Sequence, residues 1–206
     1  MAKRIIRNNL PTDQLILEAA LRVLEDEGHG GFSIPKVAAK AGVFQGNVTY
    51  YYPNRDALIS ALAELINNKY REQFQQMAVG IKTNKPDWAE TYIAWLVDDA
   101  ISPKTARVFP ELWSMSNAYP EIAKVMDGIY EEGIRSLIIA LGHDPKAPNS
   151  SELWRVLRSV AVAIEGTTAI YGRSKPSNKK FLEVKSSIVS TFAPQFKAAH
   201  KVALKK

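Results

Sequence analysis

The sequence predicts an all-α protein of about nine helices, and three observations support this fold class. Apolar residues recur at the spacing of one helix face along most of the 206 residues. No run alternates between apolar and polar residues as a half-buried strand does. Glycine or proline stands where the periodic stretches end, as at Gly28, Gly42, Pro103 and Gly142. We therefore expect helices joined by short turns, with enough chain for a substantial core.

The composition limits the classes of site that the chain can build. It contains no cysteine, so disulfides and thiolate metal sites are excluded. No segment approaches a membrane-spanning helix, which needs about eighteen consecutive apolar residues. The N-terminal stretch also lacks the apolar core of a signal peptide. We expect a soluble cytoplasmic protein with no membrane partner.

The formal net charge of +6 is unevenly distributed along the chain. Residues 173–206 hold nine Lys or Arg and one acidic residue, whereas residues 1–60 hold seven basic and six acidic residues. The total charge therefore does not identify a nucleic-acid partner. Lys3, Arg4 and Arg7 nevertheless form a basic arm that suits phosphate or minor-groove contact. A frayed, solvated terminus is the alternative interpretation of this arm.

The stretch Phe32–Leu58 carries the most specific local pattern. Ser33 is a suitable N-cap, and Pro35 falls in the first turn of the helix that follows. Gly42 ends this helix, because glycine readily adopts the left-handed conformation of a tight reversal. Ala38 is small enough for a second helix to cross closely. Two short helices joined by a glycine turn form the helix-turn-helix pattern.

The second short helix is expected from about Phe44 to Tyr51, with Val43, Val48 and Tyr52 facing inward. Its outward face carries amides and hydroxyls and no acidic residue, which suits base edges and phosphates in a DNA major groove. Gly46 would allow the backbone to approach DNA closely. With the flanking polar and basic residues included, the candidate DNA contacts are Ser33, Lys36, Gln45, Gly46, Asn47, Thr49, Tyr50, Tyr51 and Arg55.

The run AGVFQGNVTYYYPNRDALI resembles the signature of the tetracycline-repressor (TetR) family. The matching residues are Ala41, Gly42, Val43, Gly46, Tyr51, Pro53, Ala57 and Leu58, with Arg55 in place of the usual lysine. Phe44 stands where the family commonly has a capping serine, so a weaker helix cap is expected. Thr49 replaces a common tyrosine, which leaves Tyr50 and Tyr51 as the candidate phosphate-contacting tyrosines.

Outside this motif the apolar spacing predicts helices at residues 12–27, 55–77 or beyond, 87–101, 104–117, 119–141, 151–171 and 178–199. Pro110 is expected to bend or divide its helix, and Pro194 to kink or end the last one. The resemblance implies a three-helix DNA-binding domain over residues 1–54. It likewise implies a helical ligand-binding and dimerisation domain over residues 55–206.

The resemblance also implies a homodimer that binds a palindromic double-stranded operator. The helix expected at residues 151–171 is apolar around much of its circumference, so more than one of its sides must be covered. The last two helices of each subunit would together form a four-helix bundle between subunits. Packing of both helices within one monomer is the alternative.

Aromatic and methionine side chains in the second domain indicate the wall of a small-molecule pocket. These residues are Trp88, Tyr92, Trp95, Trp113, Met115, Met126, Tyr130 and Trp154. Ordinary core packing is the alternative for each of them. Asp98 or Asp99 could pair with a cationic ligand, or could simply be solvated. Glu165 could contact either the ligand or a second subunit.

These expectations combine into a transcriptional repressor that a small-molecule effector releases from DNA. A regulator without an effector, acting through a protein partner, is the alternative, and an activator or co-repressor system is equally compatible. A ligand carrier that does not bind DNA is a further, less favoured alternative. An enzyme is not expected, because His29, His143 and His200 lack metal-ligand spacing and no nucleophile elbow is present. Neither a cofactor nor a metal is expected.

Overall fold

The structure is a computed structural model that describes residues 10–204. Within that range the chain forms nine α-helices and no β-strand, so the predicted all-α fold is confirmed. The helices are α1 (Thr12–Gly31), α2 (Ile34–Ala41), α3 (Gln45–Tyr51), α4 (Arg55–Val79), α5 (Trp88–Ala100), α6 (Thr105–Ser116), α7 (Pro120–Ala140), α8 (Ser151–Tyr171) and α9 (Lys179–Ala203). A short 3-10 turn, Pro148–Ser150, precedes α8. The predicted basic arm at Lys3, Arg4 and Arg7 lies outside the described residues.

The described chain separates into two compact units. The first consists of residues 10–69 and 107–126, and the second of residues 70–106 and 127–204. The helix α4 therefore changes unit between Lys69 and Tyr70, and most of α6 belongs to the first unit. The predicted functional division after residue 54 stays a prediction, because compactness does not assign an activity to either unit.

The core of the first unit is built from the apolar faces of its helices. Helix α1 packs against α2 and α3, and α2 packs against α3. The most deeply buried side chains include Ile16, Leu24, Val37, Val48, Leu58, Ile59, Leu62, Leu112 and Ile122. They lie at the spacings that predicted the inward faces, so burial of these stripes explains the helices.

The core of the second unit is centred on α5, α8 and α9, which pack against one another. Phe181 and Phe196 of α9 are fully buried in it. The ring of Trp88 meets the ring of Phe196 edge to face, with their centroids 4.7 Å apart. Large aromatic side chains supply much of the apolar area that such a core removes from water.

The two helix-interior prolines end neither of their helices. Helix α6 runs through Pro110 without division, and α9 continues beyond Pro194 to Ala203. Of the predicted outcomes, a bend or a division at Pro110 and a kink or an early end at Pro194, the structure excludes the division and the early end. Proline costs about 3 kcal/mol in a helix interior through one lost hydrogen bond and local crowding. Burial of Ala193 and Phe196 next to Pro194 offsets that cost.

Two histidines that are far apart in sequence meet in the second unit. His143 Nε2 lies 2.8 Å from His200 Nδ1. The sequence predicts that the last helix ends at residue 199, but α9 extends to Ala203 and includes His200. Burial lowers the pKa of both imidazoles, and the neighbouring His143 lowers the pKa of His200 further. Both rings are therefore neutral at pH 7.

Gly28 marks the end of the regular part of α1, as predicted. It has φ 67° and ψ 179°, and one further helical turn follows to Gly31. The His29 N–H that follows donates to Glu111 Oε2 at 2.6 Å. A Cβ atom at Gly28 would lie 3.0 Å from Glu111 Oε1. The positive φ favours glycine here, and the Glu111 carboxylate would have to shift by a few tenths of an ångström to admit a Cβ atom.

We predict that Gly28→Ala lowers the free energy of unfolding by about 1–2 kcal/mol, because an L-residue is strained at positive φ. Urea unfolding followed by circular dichroism measures this change. Displacement of the Glu111 carboxylate by the new methyl group would add to the loss.

Gly30→Ala is the matched control for this substitution. A Cβ atom there meets nothing within 4 Å, and Gly30 does not have a positive φ. We expect this variant to be as stable as the unmodified chain or slightly more so. Equal stability of the two alanine variants would contradict the role assigned to Gly28.

Candidate nucleic-acid interface

The turn between α2 and α3 is set by Gly42 in the left-handed conformation, with φ 69° and ψ 35°. Its N–H donates to the carbonyls of Ala38 and Ala39, and the Val43 N–H donates to the Ala38 carbonyl at 3.1 Å. Ala38 is buried, and its small side chain leaves room for α3 to pack on α2. The observed helices and turn agree with the predicted helix-turn-helix pattern.

One face of α3 is fixed against the first unit. Val48 is fully buried, and the Tyr52 hydroxyl donates to the Asp13 carbonyl at 3.3 Å. Burial raises the pKa of Tyr52, and the nearby Asp13 carboxylate raises it further, so the hydroxyl keeps its proton. The opposite face of α3 consequently points away from the core.

The start of α3 is capped in a way that the sequence did not predict. The N-cap residue is Phe44, whose phenyl ring has no atom that can accept a hydrogen bond. Asn47 Oδ1 instead accepts the Phe44 N–H at 3.2 Å, which is the reciprocal half of a capping box. This bond partly offsets the weak cap expected from Phe44. An asparagine at the third helical position was the sequence signal for it.

The outward face of α3 is polar and aromatic. Gln45, Gly46 and Asn47 are exposed, and Tyr50 is 80% exposed. Tyr51 meets Tyr50 edge to face, with ring centroids 5.1 Å apart. The structure thus brings most of the predicted DNA contacts onto one accessible surface, from which carboxylates are absent.

Thr49 and Gly46 differ from their neighbours on this face. The Thr49 hydroxyl donates to the carbonyls of Gly46 at 3.2 Å and Gln45 at 3.4 Å. The hydroxyl proton of Thr49 is therefore used in hydrogen bonds within α3, although the hydroxyl oxygen can still accept a hydrogen bond. A Cβ atom on Gly46 would meet nothing within 4 Å, so packing inside the chain does not explain this glycine.

The cations of α2 are paired with acids of α1. Lys36 forms an ion pair with Glu27, and Lys40 Nζ lies 2.6 Å from Asp26 Oδ2. The hydrogen bond from Lys40 lowers the pKa of the Asp26 carboxyl. Ser33, the N-cap of α2, makes no side-chain capping bond, contrary to the expectation from sequence.

Arg55 lies in the first turn of α4 and bonds within the first unit. Its Nε and Nη2 donate to the carbonyls of Phe32 and His29, each at 3.3 Å. Its Nη1 donates to the Tyr119 hydroxyl at 2.7 Å. All three nitrogens thus have partners, so this side chain joins the α1–α2 connection to the residue that precedes α7. Nothing in the sequence pattern identified Tyr119 as a partner.

The eight residues predicted to line a ligand pocket divide between the two units. Trp113, Met115 and Met126 belong to the first unit, whereas Trp88, Tyr92, Trp95, Tyr130 and Trp154 belong to the second. Met115 and Met126 are buried, but Trp113 is exposed on α6. Their role as ligand contacts stays a prediction.

A partly open cavity of ≈ 210 Å³ lies in the second unit, where α4 ends and α5 begins. Its lining consists of Met77, Gly80, Ile81, Lys82, Lys85, Asp87, Trp88, Thr91 and Tyr92. Two of the predicted ligand residues, Trp88 and Tyr92, are therefore in this wall. Burial raises the pKa of the Tyr92 hydroxyl far above its usual value, so this group is protonated at neutral pH.

Two other predicted ligand residues make polar contacts within the second unit. The Tyr130 hydroxyl donates to Glu165 at 2.5 Å. The Trp154 indole N–H donates to the Pro145 carbonyl at 2.9 Å, and Arg158 lies 4.9 Å from the Trp154 ring centroid. Glu165 thus accepts a hydrogen bond from a tyrosine of its own chain.

The adjacent acids of α5 have different surroundings. Asp98 is exposed and pairs with Lys185 of α9 at 2.6 Å. Asp99 is partly buried and accepts hydrogen bonds from Gln73 at 3.1 Å and Thr105 at 3.0 Å. Of the two, Asp99 is therefore the acid that points inward.

Among residues 10–204, no group of three or more acidic or histidine side chains is arranged to hold a metal ion. None of the helices in that range combines the length and the apolar character required to cross a membrane.

Comparison with known proteins identifies relatives of the N-terminal part. The profile of the bacterial regulatory proteins of the tetR family matches residues 16–62, which include α2, the turn and α3. A stretch of 111 residues is 22% identical to the HTH-type transcriptional regulator BetI of Stenotrophomonas maltophilia. This match covers 53% of the chain and 57% of BetI, so it spans little more than half of that relative.

Solved structures share the fold over most of their length. A TetR-family transcriptional regulator from Mesorhizobium loti has a TM-score of 0.70 at 10% identity, covering 93% of this chain and 96% of that one. The multidrug binding protein EbrR, complexed with imidazole, has a TM-score of 0.64 at 18% identity, covering 89% and 96%. Residues 16–62 are thus similar to the tetR family of bacterial regulatory proteins, and the solved structures show that the fold is shared.

Proposed function

We propose that the protein is a DNA-binding transcriptional regulator, acting in the cytoplasm as a repressor that a small-molecule effector releases from its operator. The observation that carries this proposal is the outward face of α3, which is accessible, rich in hydrogen-bonding groups and free of acids. Val48 and Tyr52 fix the opposite face of α3 against the first unit. A rigid helix with such a face suits the major groove of DNA.

The groups on this face divide by the part of DNA that they suit. Gln45 and Asn47 carry amides that can bond to base edges, and Asn47 keeps its Nδ2 donors although its Oδ1 caps the helix. Tyr50 and Tyr51 can donate to phosphates. Lys36 can exchange its exposed bond to Glu27 for a phosphate, because an exposed ion pair contributes only about 0–1 kcal/mol.

Arg55 has a different role in this proposal from the one suggested by sequence. Its three bonds to Phe32, His29 and Tyr119 hold it within the protein. We therefore regard Arg55 as a positioning residue for the α1–α2 connection. A phosphate contact would require these bonds to be given up.

A homodimer through α8 and α9 is part of the proposal. Val162 is 74% exposed and Ile170 is 73% exposed on α8, and Leu182 is exposed on α9. Gly166 of α8 and Ser190 of α9 are small and exposed near them in sequence, which allows helices to approach closely. Pairing this surface with its symmetry copy would bury the apolar side chains and would present two copies of α3 to two half-sites.

The cavity of the second unit supports a small effector. Trp88 and Tyr92 contribute aromatic side chains to its wall, and the ≈ 210 Å³ volume suits a compact molecule. EbrR, which shares the fold, is a multidrug binding protein that was crystallised with imidazole. A hundredfold preference of the effector for the form that does not bind DNA is worth about 2.7 kcal/mol, enough to relieve much of the repression.

A regulator without an effector, which acts through a protein partner, is the alternative. The cavity is smaller than the roughly 300 Å³ from which ligand pockets commonly begin, and this favours the alternative. Dissociation of the operator complex by a small molecule, measured with purified protein, distinguishes the two forms of regulation.

The first test is selection of bound fragments from a random duplex library with the purified protein at a fixed moderate salt concentration. We expect recovery of an inverted repeat. In Gln45→Ala/Asn47→Ala/Tyr50→Ala, loss of base and phosphate contacts should weaken binding to this repeat by roughly a hundredfold or more, since each base contact contributes about 1–3 kcal/mol.

Gln75→Ala/Gln76→Ala is the control for this triple variant, because both glutamines are exposed on α4 outside the proposed surface. It should bind the repeat normally. Unchanged affinity of a folded triple variant would refute the DNA-binding role of α3.

Gly46→Ala tests close approach of α3 to DNA. A methyl group there has free space in the protein, so stability should be unchanged or higher by up to about 1 kcal/mol. Operator affinity should nevertheless fall about tenfold, or ~1.4 kcal/mol, because the methyl group separates the helix from DNA. Gly128→Ala on α7, also in open space, should leave affinity unchanged. Normal operator binding by Gly46→Ala would rule out close backbone contact at this position.

Val162→Glu tests the dimer surface. Burying an unpaired carboxylate costs several kcal/mol, so the dimer dissociation constant should rise on the order of a hundredfold or more. Sedimentation equilibrium measures this constant. Ile139→Glu is the control, since Ile139 is an exposed isoleucine of α7 outside the proposed surface. A dimer that tolerates Val162→Glu must use another surface.

A further inference from the structure

Phe44 is the most exposed of the large apolar side chains in the described part of the chain. It is 86% exposed, although a phenyl ring gains free energy when it leaves water. Its backbone is extended, with φ −73° and ψ 149°, as expected for the residue that precedes a helix. Phe44 directly precedes Gln45, the first residue of α3 and a proposed DNA contact.

Capping of α3 does not explain why phenylalanine occupies this position. Serine, threonine, asparagine or aspartate would cap the helix with its own side chain, and phenylalanine is unable to do so. Asn47 Oδ1 takes the Phe44 N–H instead. The helix start is thus stabilised by the asparagine, which leaves the ring without a structural role at the cap.

The surroundings of Phe44 belong to the surface already proposed to meet DNA. Gln45, Gly46 and Asn47 follow it directly and are all exposed. In helix-turn-helix proteins the N-terminal residues of the second helix contact base edges. A phenyl ring has no group that can bond to a phosphate, but it can pack against the thymine 5-methyl group, an apolar group that the major groove presents.

We propose that Phe44 is a specificity-determining residue whose ring packs against a thymine 5-methyl group in each operator half-site. This inference rests on the proposed DNA-binding function. It assigns to Phe44 an apolar selection of thymine, beside the hydrogen bonds that Gln45 and Asn47 can make. The contact would cover the ring and so account for its exposure in the free protein.

The test replaces each thymine of the selected operator in turn by deoxyuridine, which removes only the 5-methyl group. Dissociation constants are measured for the unmodified protein and for Phe44→Ala. At one thymine of each half-site we expect deoxyuridine to weaken binding of the unmodified protein roughly fourfold, the change that corresponds to about one buried methyl group. For Phe44→Ala, the thymine operator should bind more weakly, and the thymine and deoxyuridine operators should bind equally.

Two further variants separate the methyl contact from effects on the helix. Phe44→Ser removes the ring but supplies a good N-cap, so it should fold stably and still lose the distinction between thymine and deoxyuridine. Val79→Ala truncates another highly exposed apolar side chain at the end of α4 and should change neither affinity nor that distinction. The measurement on the unmodified protein needs no variant to fold.

Failures of the two proposals are distinguishable. Tight operator binding that is insensitive to deoxyuridine at every position would overturn the role of Phe44 and leave the proposed function intact. Retention of the methyl dependence in Phe44→Ala would also overturn it, since another residue would then contact the methyl group. Absence of operator binding by the unmodified, folded protein would overturn both.

Discussion

The left-handed conformation of Gly42 is the constraint on which the exposed surface of α3 depends. It reverses the chain within a few residues, so α2 and α3 pack through Ala38 and Val48. A side chain with a Cβ atom is strained in this conformation, because the Cβ atom approaches the following carbonyl oxygen. The direction of α3, and with it the set of side chains that face outward, follows from this one residue.

Arg55 extends this constraint from the turn to the rest of the first unit. By bonding the carbonyls of His29 and Phe32 it holds the last turn of α1 together with the residue that follows that helix. The hydroxyl of Tyr119 accepts its third bond. The entrance of α2, the start of α4 and the residue before α7 are therefore held by a single planar group, which lysine could not replace with one ammonium.

Helix ends that depend only on the backbone conformation of neighbouring residues were predicted correctly from the sequence. Gly28, Gly42 and Pro35 lie where backbone geometry alone determines the end or start of a helix, and the structure agrees. The pairing of His143 with His200 joins positions 57 residues apart, so it emerges only when the second unit packs. The cost of a proline is also local, but the burial that offsets it is not, so sequence alone did not decide whether α6 and α9 continue through their prolines.

The sequence predicted where the candidate site lies, but it did not predict which hydrogen bonds its side chains form within the protein. The turn signature located α3, because its glycine and apolar residues have fixed spacings. The bonds of Asn47 and Thr49 depend on side-chain rotamers within α3. These bonds alter which donors and acceptors remain free for DNA, so a list of polar residues overstates the number of available contacts.

In the proposed complex with DNA, the charge distribution around α2 leaves most of the recognition to neutral side chains. The Lys36–Glu27 and Lys40–Asp26 pairs place carboxylates beside the cations that would attract phosphate. If either lysine contacts DNA, its former partner stays nearby and cancels part of the attraction. Affinity based on phosphate neutralisation is therefore limited at α2. In the proposed complex, contacts of the amides with base edges and of Phe44 with thymine methyl groups then supply a larger share of binding, and that share depends on DNA sequence.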